Sequence, residues 1–213
     1  MVKKLLKQEY KYYIRTLIFI LPAVLLLGIS VRILQFFETD HYVYWLLFGG
    51  AFLIFTVGSC AALIATEVLA VVRFYKNMYS SEGYLTFTLP VSTHQHLISK
   101  LIAHVLALFV TTTVVIVAWV IAFSGMEFWE LFIDSFASAF EGIDLTPYIG
   151  HLVILIIEVV ILLVISLFSS PLLYYACISI GQTAKKNRIL LAIGVYYLYT
   201  VLVQIVSTVF SVI

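Results

Sequence analysis

Five stretches of this chain, roughly 16–37, 43–72, 97–124, 149–180 and 189–213, are nearly free of charge and long enough to cross a bilayer. A spanning helix needs about 20 mostly apolar residues, and inside the hydrocarbon core its backbone can be satisfied only by its own hydrogen bonds. That feature leaves few folds open. The chain has 213 residues, 63% hydrophobic and 11% charged, too little polar cover for the surface of a soluble domain. The expected fold is therefore all-α: a polytopic transmembrane helical bundle with five legible spans, one transmembrane domain over 1–213. Several stretches exceed the minimum, so tilt, interfacial extension or a break is expected, with Pro171 after Ser169 and Ser170 as the break point in the fourth. The apolar stretch behind the first lysines is long enough to span and lacks a small-residue cleavage site, unlike a secretory signal. Cys60 and Cys177 sit inside apolar runs, which suggests neither a disulfide framework nor a zinc site.

Orientation follows from where lysine and arginine collect. Lys3, Lys4, Lys7, Lys11 and Arg15 precede the first span. Arg73, Lys76 and Lys100 lie between the second and third, and Lys185, Lys186 and Arg188 between the fourth and fifth. Eleven of the 12 basic residues thus share one side, with Arg32 the exception. The opposite loops carry Glu38, Asp40, Glu127, Glu130, Asp134, Glu141 and Asp144. A cytoplasmic N-terminus is expected. Five spans would put Ile213 on the other side, either as a bare end or with a further segment absent.

Three segments outside the spans carry pattern. Residues 1–15 place Leu6, Tyr10, Tyr13 and Leu17 at helical spacing among lysines, which predicts an amphipathic helix on the anionic leaflet before the chain turns inward. Over 126–147, Glu127, Glu130, Asp134 and Glu141 share one helical face, with Phe128, Trp129, Phe132, Phe136 and Phe140 elsewhere. That describes a helix at the outer interface or a solvated lid. Over 73–92, the i, i+4 pairs Phe74–Met78 and Tyr75–Tyr79 continue a short helix from the second span. Gly83 suits its stop, Leu85, Phe87 and Leu89 alternate in an extended pattern, and Ser92 with Gln95 carries a capping-box signature. Exposed aromatics between defined caps suit contact with a soluble partner.

Ionisable groups within spans are costly and are functional candidates. Glu67 and His104 both lie about 10 Å inside the basic edge at 1.5 Å per residue. They could face one another or a shared aqueous cavity; Glu67 could instead pair with a nearby arginine or snorkel. Glu158, about 14 Å into the fourth span, is expected to be protonated, hydrogen-bonded at a subunit contact, or part of a substrate path. Gly58/Ala62 and Ala61/Ala65 give small-xxx-small spacing for close packing, within the chain or across a dimer seam. Tyr174, Tyr175, Tyr196, Tyr197 and Tyr199 read as an interfacial belt. The His94-x-His96 pair reads as a polar flank, and no metal site is expected. The sequence has no phosphate-cradling glycine loop, zinc-protease motif or nucleophile elbow, so no catalytic residue is assigned.

The run Glu82-Gly83-Tyr84-Leu85-Thr86-Phe87-Thr88-Leu89-Pro90-Val91-Ser92, with Lys100 at the start of a span, resembles the intracellular loop of type-2 ABC transporter permeases. The likeness is to short exporter permeases of Gram-positive bacteria. Ile178-Ser179-Ile180-Gly181-Gln182 and the turn Lys185-Lys186-Asn187-Arg188 are similar to the same group. The resemblance implies a bacterial cytoplasmic membrane, six spans where five are legible, a second permease chain, identical or related, and membrane lipid around both. It implies an obligate cytoplasmic ATPase subunit that holds ATP and magnesium, with no cofactor on this chain and no nucleic acid. It assigns ATPase coupling to Tyr75, Met78, Tyr79, Glu82, Gly83 and Tyr84, and a hinge to Pro90, Val91 and Ser92. The expected function is ATP-driven export of an amphiphile: an antimicrobial peptide, drug or lipid-like molecule. The competing readings are an ion-coupled carrier relaying protons through Glu158 and an intramembrane enzyme.

Overall fold

The computed structural model describes residues 2–37, 39, 41–80, 83, 92–124, 129, 132–135, 138 and 149–212. Five long helices account for nearly all of these: α1 (Val2–Gln35), α2 (Tyr42–Tyr79), α3 (Thr93–Phe123), α4 (Ile149–Gly181) and α5 (Arg188–Val212). All five are long and apolar enough to cross a membrane. The start of α1, the end of α2, the start of α3 and the end of α4 meet at one end of the bundle, the basic end hereafter.

The 38 residues of α2 measure about 57 Å at 1.5 Å per residue, nearly twice a hydrocarbon core of about 30 Å. The helix expected over 1–15 is present but does not turn before the first span; it is the opening of the single 34-residue helix α1. Its continuity has a physical reason, since Glu9, Tyr13 and Leu17 lie on one stripe and are buried against the neighbouring helices. Nor does Pro171 break the fourth span: α4 runs through it unbroken, and Pro171 is buried. One missing N–H is tolerated where neighbouring helices cover the site.

Helices α1, α2 and α3 form the tightest part of the molecule. Along α3 the residues Ala103, Ala107, Thr111, Val115, Ala118 and Ala122 are all buried, a row of mostly small side chains facing α1 and α2. Small side chains let backbones approach, which is the chief source of attraction when the solvent is lipid. A Cβ at Gly28 of α1 would sit 2.8 Å from the Ala118 carbonyl oxygen, so the α1–α3 crossing requires glycine there. Gly58 of α2 lies against Leu27 and Ala62 is buried, whereas Ala61 is exposed. The Gly58/Ala62 pair therefore serves packing within the chain.

At the end opposite the basic one, Phe52 and Phe55 of α2 meet Trp119 of α3 at centroid separations of 5.9 and 4.9 Å. Arg32, the one basic residue at this end, donates to Gln35 Oε1 at 3.0 Å and lies 4.6 Å from the Phe36 ring centroid. Helices α4 and α5 are joined near the basic end, where a Cβ on Gly181 would sit 2.6 Å from the Ala192 Cβ. Of the segment 126–147, the residues described are helical, and Trp129, Phe132 and Ile133 are exposed.

Candidate functional site

The basic end holds a charged clasp that joins three helices. Glu9 on α1 is buried, and its carboxylate accepts hydrogen bonds from Arg73 Nε at 3.0 Å, Asn77 Nδ2 at 3.2 Å and Lys100 Nζ at 2.6 Å. Arg73 and Asn77 come from the last two turns of α2, and Lys100 from the second turn of α3. The Arg73 guanidinium also lies 4.5 Å from the Tyr12 ring centroid, so an N–H edge and one face of this cation are both answered from α1. Lys100 is 3% exposed, which makes Glu9 its counter-charge rather than a surface ornament.

One helical step or two further into the bundle, Glu67 Oε2 and His104 Nε2 are 3.2 Å apart. Of the alternatives that the sequence leaves open for Glu67, the structure shows the contact with His104. Arg73, the alternative partner for Glu67, is engaged by Glu9 instead. The contact lacks hydrogen-bond alignment, and neither ring nitrogen of the fully buried His104 has a hydrogen-bond partner. The Thr66 and Thr111 hydroxyls follow, 3.1 Å apart, so that one donates to the other while the other donates to the carbonyl four residues back on its own helix. Charged, ionisable and hydroxyl contacts thus succeed one another along the α1–α2–α3 interior.

The outward face of the end of α2 turns to α4. Phe74 stacks on Tyr175 with centroids 4.0 Å apart and planes 14° from parallel. Tyr79 Oη donates to Ser179 Oγ at 2.8 Å, and Ser179 in turn donates to the Tyr175 carbonyl. Beside these contacts, α2, α4 and α5 diverge around a cavity of about 710 Å³. Val71, Tyr75, Lys76, Ile178, Ile193 and Tyr196 are among its lining. Tyr174 and Tyr196, 5.6 Å apart, also face this space, so the tyrosines read as a belt include two cavity-wall residues. A site of this size suits a small molecule or one end of an amphiphile.

Of the residues assigned to coupling, Tyr75, Met78 and Tyr79 lie on the last turns of α2, as the helical continuation requires. Helix α2 stops at Tyr79, with Ser80 in extended conformation, so Gly83 is not the stopping residue. Gly83 instead folds back onto the helix end: its N–H donates to the Ser80 carbonyl, and a Cβ there would sit 2.8 Å from the Met78 carbonyl oxygen. Ser92 is the N-cap of α3, but its side chain makes no capping hydrogen bond. The signature supplies the position without the reciprocal bonds. Glu82, Tyr84, Pro90 and Val91 lie outside the described residues.

Glu158 is exposed on α4, away from Glu67 and His104. It lies 17 residues from Tyr175, which is level with Phe74 and its neighbour Arg73; that is about 26 Å. Helix α4 is longer than a bilayer, so depth counted from its far end at Ile149 overstates how central this carboxyl is. His94 is exposed while His96 is buried, so the two rings occupy different surroundings. The clasp itself escapes a reading by loops and spans, which treats Glu9 as a basic-side flank. Its signal is register: Glu9, Tyr13, Leu17, Val24 and Val31 are spaced by four, four, seven and seven on one buried stripe.

Five helices long and apolar enough to cross a bilayer mark the chain as a multi-pass helical membrane protein. No family model, curated protein or solved structure matches the chain.

Proposed function

We propose that this chain is the membrane-embedded permease subunit of an ATP-driven exporter of the type-2 ABC kind, in a bacterial cytoplasmic membrane. ATP and magnesium are held by a separate ATPase, and a second permease chain completes the pathway. The observation that carries this reading is the double attachment of the basic end of α2. Its inner face is clasped to α1 and α3 through Glu9, and its outer face is stacked on α4 through Phe74 and Tyr175. A push on this end would move it as one piece with the trio and pull on α4 beside the apolar cavity. Such an element suits transmission of an ATPase movement to helices that border an amphiphile-sized space.

The test is co-purification. An ATPase with a Walker motif encoded beside this chain should be captured by the tagged permease and lost with Tyr79→Asp. Tyr79→Phe, which removes only the hydroxyl bond to Ser179, should retain it. If no ATPase is captured and transport follows a proton gradient, an ion-coupled carrier replaces this reading. The buried contact between Glu67 and His104 would then be its first proton-handling candidate.

A further inference from the structure

The cavity between α2, α4 and α5 opens onto a cationic mouth that the coupling role leaves unused. A second hollow of about 650 Å³ adjoins it, and the two share Tyr75, Ile189 and Ile193 as walls. The first is mainly apolar, with Lys76 at its edge. The second adds Lys185 and Arg188 from the short turn between α4 and α5. Asn187 supports that turn with a left-handed φ of 60°, a conformation asparagine tolerates better than most residues. Among the described residues Lys76, Lys185 and Arg188 are exposed and form no ion pair, in contrast to Arg73 and Lys100, which both bind the Glu9 carboxylate. The same end of the bundle thus carries one set of cations held by a buried acid and one set with no acidic partner among the described residues, and the second set borders an apolar space.

We infer that this groove binds an anionic phospholipid, with an acyl chain in the cavity of α2, α4 and α5 and the phosphate at the rim of Lys76, Lys185 and Arg188. Apolar walls reject a free hydrated anion, and three cations that form no ion pair among the described residues favour a net negative headgroup over a zwitterionic one. The leaflet that the positive side of a membrane protein faces is the one rich in acidic lipid, and each lysine or arginine near it adds to the attraction. The chain length of the lipid is set by the walls rather than by the charges, so head and tail can be tested separately. The inference depends on the chain spanning a membrane and is independent of any ATPase, so it can fail while the exporter reading stands, and the reverse.

The experiment uses the full chain alone, reconstituted in nanodiscs of phosphatidylglycerol and phosphatidylcholine in equal parts. Native mass spectrometry after detergent release counts the lipid that stays bound. Selective retention of phosphatidylglycerol is expected. Lys76→Gln with Arg188→Gln, both at exposed positions, should weaken it roughly 30-fold at two surface charges removed. Ile193→Trp, which fills the wall shared by both hollows, should abolish retention with the cations intact, circular dichroism confirming that the helices are kept. Equal retention of the two lipids would overturn the inference, as would unchanged phosphatidylglycerol binding in either variant. Displacement of the lipid by inorganic phosphate in solution would also overturn it, in favour of a free-anion site.

Discussion

Helices α1, α2 and α3 bury side chains over most of their length, from Glu9 to Val31, Phe55 to Asn77 and His96 to Ala122, whereas α4 and α5 bury almost none beyond the basic end. On α3 the buried positions run from His96 to Ala122; on α4 every side chain from Ile149 to Ser166 is exposed. On α5 only Ala192, Val195 and Val201 are even partly covered. Yet α4 is the most apolar of the five, with a mean hydropathy of 3.1 in its best window. Apolarity is therefore not what associates helices here. Lipid tails are as apolar as leucine, so rows of Leu, Ile and Val gain little by leaving them. The trio has what α4 and α5 lack away from the basic end: a glycine that lets backbones touch, an alanine row, and polar side chains that bond across helices.

The largest effect is expected at the clasp. Glu9→Ala removes the carboxylate that joins Arg73, Asn77 and Lys100, and should cost about 3–5 kcal/mol, as when a buried ion pair loses one partner. Unfolding in graded detergent denaturant measures it. Glu158→Ala, at an exposed carboxyl on α4, should leave the same transition nearly unmoved. A similar loss at both sites would erase the distinction between the two regions.

Glycine gives a sharper comparison with one chemical change. Gly28→Ala drives a Cβ to 2.8 Å from the Ala118 carbonyl oxygen, and the backbone must move apart at a cost of about 1–3 kcal/mol. Gly194→Ala on α5 meets nothing within 4 Å and should be neutral or gain up to about 1 kcal/mol from helix propensity. The smallest effect is the Thr66–Thr111 bond. A double-mutant cycle with Thr66→Val and Thr111→Val should give a coupling near 0.6 kcal/mol, the usual worth of such bonds in membranes.

Much of this arrangement is legible in the sequence, for physical reasons that also mark where legibility ends. Spans follow from hydropathy because the bilayer tests length and apolarity alone. Depth brings Glu67 and His104 to one level, because antiparallel neighbours entering from one side reach the same level at the same residue count; which faces they occupy is set by the packing of α2 against α3. Glu9 is lost because a lone acid among five cations looks like a solvated flank, and only its register on the Tyr13–Leu17 stripe separates it from one. The stop of α2 at Tyr79 is missed for a related reason: Gly83 is required by a close backbone approach, not by the helix terminus. Pro171 and the turn expected after residue 15 fail together, since packing against neighbours keeps a helix whole where local signals would end it.

One measurement bears most directly on the contrast between a fixed trio and a loosely held pair. With Cys60 and Cys177 replaced, spin labels can be placed at the exposed positions Ile33 on α1, Val120 on α3 and Ile154 on α4, all toward the end opposite the clasp. Pulsed dipolar spectroscopy in nanodiscs then compares the Ile33–Val120 and Val120–Ile154 distances. A fixed trio gives a single narrow distribution for the first pair, and an α4 anchored only at its basic end gives a clearly broader one for the second. Equally narrow distributions would contradict this picture, placing α4 as firmly against the bundle as α1.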